Sequence, residues 1–119
     1  MDYNHTIILT IGEKLHISTC RNFAGDHSRH FVGVVITTHG SMARLKGYTF
    51  SFDPKSGNYE KLSEVRTRIF GVEDGRHTIN VLPPHAILET LQYKVIDGRL
   101  IMTDGQKFSM DANEFKAEG

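Results

Sequence analysis

Apolar and polar residues alternate with period two along most of this chain, and the 3.6-residue spacing of a helix is almost absent. "KLHISTC" (14–20) sets Leu15, Ile17 and Thr19 against His16, Ser18 and Cys20. "RHFVGVVITT" (29–38) is rich in β-branched residues and predicts a long strand. "HGS" (39–41) predicts a tight turn, and "MARLKGYTFSF" (42–52) predicts the next strand. "DPKSGN" (53–58) carries Asp-Pro and Ser-Gly, the composition of a hairpin connection. "EVRTRIFGV" (64–72) places Val65, Thr67 and Ile69 on one face and Arg66, Arg68 and Phe70 on the other, ahead of a turn at Asp74-Gly75. "HTINVL" (77–82) predicts a strand that Pro83-Pro84 stops, because proline cannot donate to a ladder.

"HAILETL" (85–91) is the one helix candidate, of a turn or two. "LQYKVI" (91–96) and "RLIMT" (99–103) flank Asp97-Gly98, a hairpin signal because both central residues of a type I′ turn need positive φ. A second Asp-Gly, at 104–105, precedes "QKFSM". "RNFAGDHS" (21–28) has loop composition, and the tail 111–119 is expected to fray. About seven or eight short strands with close turns and at most one short helix predict an all-β single domain over residues 1–119. Closure removes exposed strand edges, so the expected shape is a small antiparallel β-barrel, SH3/Sm-like or OB-like.

Composition narrows the function classes. The chain has 14 Lys plus Arg and 14 Asp plus Glu, so it lacks the basic excess of a dedicated nucleic-acid binder and repels its own copies weakly. With Cys20 as the one cysteine, no intramolecular disulfide can form, which fits a reducing compartment. The start "MDYNHTIILTIGEK" lacks the basic residues and long apolar stretch of a secretory signal, and no run approaches the roughly 20 apolar residues of a membrane span. The expectation is a cytoplasmic, soluble protein.

The stretch "KGYTFSF" (46–52) resembles the first RNA-contacting signature of RNA-recognition and cold-shock domains. Lys46, Gly47, Tyr48 and Phe50 match it, whereas Thr49 replaces a small residue, Ser51 an aliphatic one, and Phe52 comes one position early. The helices and the second aromatic signature are missing, and the chain is assigned to neither family. Two arrangements of this strand compete. In an unbroken strand Arg44, Lys46, Tyr48, Phe50 and Phe52 share a face, and that stripe would follow phosphates and stack bases. In a strand bulged at Gly47 the face reverses, so the three rings turn inward while Arg44 and Lys46 stay wet. The second is favoured, because a domain with seven Phe and no Trp needs its rings in the core.

Other chemistry is sparse. Arg66 and Arg68, with His77 and Asn80 on the following strand, are the best candidates for an anion contact. The seven histidines read as solvated or core-edge residues, and no metal or cofactor motif is present. No residue pattern argues for an enzyme. The expected function is a binding or scaffold module whose partner is a protein or a second copy in preference to nucleic acid. The alternative is a small-ligand or nucleotide-binding barrel with a pocket lined by Tyr48, Phe50 and Tyr93 and reached past Arg66 and Arg68.

Overall fold

The computed structural model describes residues 8–19, 29–73 and 75–112. Cys20, the expected loop 21–28, Asp74 and the tail 113–119 lie outside the described residues. The described chain forms two antiparallel sheets. The larger holds β1 (Lys14–Thr19), β2 (Arg29–His39), β3 (Met42–Asp53), β4 (Asn58–Lys61), β5 (Arg66–Gly71) and β6 (His77–Leu82). Its order is β4-β3-β2-β1-β6, and β5 pairs with β3 as well. The smaller holds β7 (Gln92–Ile96), β8 (Arg99–Thr103) and β9 (Ser109–Asp111), in that order. No helix among the described residues is long and apolar enough to cross a membrane.

The all-β antiparallel class is as the alternation predicts; the barrel is not. Among the described residues no ladder joins β6 to β4 or β5, so the larger sheet stays open. The far edge of β3 is divided, with residues 42–47 pairing β5 and residues 50–53 pairing β4. The smaller sheet then covers one face of the larger, giving two layers instead of a closed wall. "NYEK" (58–61) has loop composition yet forms β4, which sequence reading missed. The helix expected over 85–91 shrinks to a single 3₁₀ turn, Leu88–Thr90. Its carbonyls are engaged from outside. Lys14 Nζ donates to Pro84 O and Ala86 O at 2.7 and 2.6 Å, and Lys61 Nζ to Leu88 O and Glu89 O at 2.7 and 2.6 Å. The Asp97-Gly98 turn forms as predicted, with φ of 53° and 77°.

Both faces of the larger sheet are apolar, which explains why β2 reads as nearly continuous hydrophobic sequence. One core lies between the sheets and includes Val32, Phe50, Leu82, Leu91, Tyr93 and Met102. The other lies on the opposite face and gathers Leu15, Ile17, Phe31, Val35, Ala43 and Leu45, with Phe70 and Ile79 against it.

The aromatic strand corrects the bulge expectation. Gly47 pairs in register with Gly33, and the irregularity falls on β2, between Val35 and Thr37. The strand is unbroken, so Arg44, Lys46, Tyr48, Phe50 and Phe52 do share a face. Its outer half is bare, leaving Arg44 and Lys46 exposed, whereas β4 and the smaller sheet cover the inner half. Phe50 is 1% exposed, and Tyr48 and Phe52 are half-buried. Gly47 serves a close approach of strands: a Cβ there would stand 1.9 Å from Val32 O and 2.5 Å from Gly33 Cα.

Candidate functional site

Strand parity builds a polar cluster inside the core between the sheets. Ser18 lies opposite His30, and His16 lies opposite Val32 on one side and Asn80 on the other. His16, His30 and Asn80 therefore share one face, and Tyr93 reaches them from β7. His16 is 2% exposed and His30 3%, so the expectation of solvated or core-edge histidines is corrected at these two positions. Tyr59 packs edge-on to His30, with ring centroids 4.5 Å apart, and Phe50 packs on Tyr93 at 4.8 Å.

Hydrogen-bond distances fix the direction of the cluster. Asn80 Nδ2 lies 3.2 Å from His16 Nδ1 and donates to it. The proton of neutral His16 then sits on Nε2, which faces Tyr93 Oη at 3.0 Å and His30 Nδ1 at 2.9 Å. The Tyr93 hydroxyl lies 2.8 Å from His30 Nδ1 and donates to it, accepting from His16 in turn. Donation thus runs from Asn80 through His16 and Tyr93 to His30. Burial, with the neighbouring His30 adding to it, lowers His16 from 6.5 to about 3, so its ring is neutral at ordinary pH.

This geometry suits protons and does not suit a metal ion. The His16 and His30 rings lie within 23° of parallel with centroids 5.1 Å apart, as far apart as two imidazoles meeting nitrogen to nitrogen in line can be. An ion on both axes needs about 2.0–2.1 Å to each nitrogen, more than the observed 2.9 Å between them allows. Among the described residues no group of three or more His, Cys, Asp or Glu is placed to hold a metal.

A cleft of about 600 Å³ opens beside this cluster. Its position follows from register, since Arg29 pairs with Thr19, Arg68 with Leu45, and Phe70 with Ala43. Arg29 and Arg68 therefore lie on the face of the second core, at its open end. Phe31 and Phe70 form its apolar floor, with ring centroids 5.3 Å apart, and Thr49 and Ser51 line it from β3. The Oγ1 of Thr49 is shielded from water and has no hydrogen-bond partner in the structure. His30 also lines this cleft, so the polar cluster reaches its wall.

The residues singled out from sequence disperse. Arg68 lines the cleft, whereas Arg66 is exposed and ion-paired with Glu64 at 3.0 Å. His77 lies 3.2 Å from Thr19 through Nδ1 and edge-on to Phe70, and it lines a second, more apolar groove with Ile79 and Val81. Asn80 points to the opposite face, onto His16. Arg44 and Lys46 are exposed on β3, and Tyr48 beside them carries the Lys61 ammonium over its ring at 4.1 Å. Tyr48, Phe50 and Tyr93, the expected pocket lining, belong to the core between the sheets. Sequence reading missed Arg29, His16, His30 and Tyr93 as a group. The only signal was that His16 and His30 sit at even positions of strands that turned out to be neighbours. Comparison with known protein families, curated proteins and solved structures finds no match.

Proposed function

We propose that the protein is a cytoplasmic binding module that receives a small anionic ligand in the cleft between Arg29 and Arg68. The cleft itself carries this reading: two guanidiniums and the unpartnered Thr49 hydroxyl stand over a floor of Phe31 and Phe70. Among its described lining residues there is no carboxylate to neutralise the cations. Guanidinium groups recognise carboxylate, sulfonate or phosphate in a planar two-point geometry, and the rings beneath suit a flat apolar body on the same molecule. A concave, mostly apolar site with a few convergent polar groups is the common form of a ligand pocket.

Titration with phenyl phosphate and benzenesulfonate, followed by NMR shifts of the Phe31 and Phe70 rings, tests the reading. Both anions are expected to bind and neutral benzyl alcohol is not. Arg68→Gln should weaken binding by about tenfold, the loss of one charge-assisted contact. Equal binding of the alcohol, or no change in Arg68→Gln, would reject the cleft.

A second reading, contact with a protein or a second copy along a sheet edge, is favoured by the apolar side chains that the outer strands leave in water. Ile69 of β5 is 54% exposed and Val81 of β6 59%. Light scattering on a size-exclusion column tests it, and a strict monomer at high concentration counts against self-association.

A further inference from the structure

We propose that the cleft takes up its anion together with one proton, which His30 accepts while the hydrogen bonds from Asn80 through His16 and Tyr93 reverse direction. The proposal rests on the anion-binding reading of the cleft and adds to it how binding is regulated.

Its basis is that the cluster is satisfied in either direction. In the direction described above, Asn80 Nδ2 donates to His16, His16 Nε2–H to Tyr93, and the Tyr93 hydroxyl to His30 Nδ1. A proton placed on His30 Nδ1 makes that nitrogen a donor to Tyr93 Oη. The hydroxyl then turns to donate to His16 Nε2, and the His16 proton moves to Nδ1. Rotation of the Asn80 amide presents Oδ1 to receive it, because an amide offers a donor on one side and an acceptor on the other. No buried group along the path loses its partner, so the two states avoid the penalty that normally pins such a network in one form. His16 passes the change along and stays neutral in both states, in keeping with its strong resistance to protonation.

The surroundings of His30 supply the coupling. From β2 and β5, Arg29 and Arg68 line the same cleft and oppose a third positive charge there. From β1, β7 and β4 the titratable groups facing the ring are His16, Tyr93 and Tyr59, none of them anionic at neutral pH. The Lys61 ammonium, also on β4, is committed to the Leu88 and Glu89 carbonyls. A bound anion is then the one negative charge in the cleft, and it stabilises the proton on His30 as well as the two guanidiniums. By linkage the proton strengthens the anion's binding by the same factor.

The test uses the wild-type chain and benzenesulfonate, which carries no titrating proton of its own. Calorimetry in buffers of different ionisation enthalpy should show uptake of about one proton per ligand, and affinity should rise about tenfold per unit fall in pH where uptake is complete. In protein labelled with ¹⁵N at histidine, ligand should convert His30 to the doubly protonated form. His16 should exchange its Nε2–H tautomer for Nδ1–H while staying neutral. Binding without proton uptake and with both tautomers unchanged overturns the proposal and leaves the cleft reading intact. No binding at all removes the cleft reading, and the proposal with it.

Discussion

Consider the fold titrated from pH 7 toward pH 4. His16 is buried and neutral, held at about 3 against 6.5 for a free imidazole, chiefly by loss of hydration and further by its His30 neighbour. The unfolded chain accepts the proton first, so stability is full above pH 6.5 and declines as pH falls toward 3. Each unit below 6.5 removes about 1.4 kcal/mol, so pH 5 costs about 2 kcal/mol. That is a large share of the roughly 5–15 kcal/mol that holds a domain together, and it should lower a urea midpoint by about 1 M. Urea unfolding followed by circular dichroism at pH 7, 6 and 5 measures it. The same series on His16→Gln isolates the residue, because the variant is weaker at every pH but lacks this slope. If wild type holds its midpoint from pH 7 to 5, or if His16→Gln declines as steeply, burial of a neutral His16 is not what shapes the acid response.

Two further outcomes concern stability. Gly47→Ala should destabilise by roughly 3 kcal/mol or more, because its Cβ meets Val32 O and Gly33 Cα and backbone has to move; urea unfolding reads this, and a loss under 1 kcal/mol would mean the strands part easily. Burial alone would raise the Asp104 carboxyl, but backbone N–H groups of Gln106, Phe108, Ile87 and Lys107 overrule it and hold it below the usual range. Its contribution is therefore present at neutral pH and lost as pH falls below about 4, so Asp104→Asn should lower Tm at pH 7 and flatten the decline below pH 4 that wild type shows.

What the sequence made legible was local. The alternation in β1, β2 and β6 and the positive-φ requirement at Asp97-Gly98 are decided within a few residues, and both appear in the structure. What it withheld was partnership across the sheet. Gly47 reads as a bulge until Gly33 is known to sit opposite it, and then it reads as clearance. The three rings of β3 escape water because another sheet lies over them, which nothing within 42–52 announces. His16 and His30 become neighbours through the pairing of Ser18 with His30, and Asn80 joins them through its pairing with His16. Arg68 was singled out for its charge, yet its place in the cleft comes from standing opposite Leu45.

The link between the two sheets has a mechanical side. Among the described residues no strand ladder crosses from one to the other, and the crossing segment is gripped by Lys14 on one flank and Lys61 on the other. Such a joint can peel. The smaller sheet can lift away as a flap with the larger one whole, and the first molecules to reach the Tyr93 hydroxyl from that side would be water.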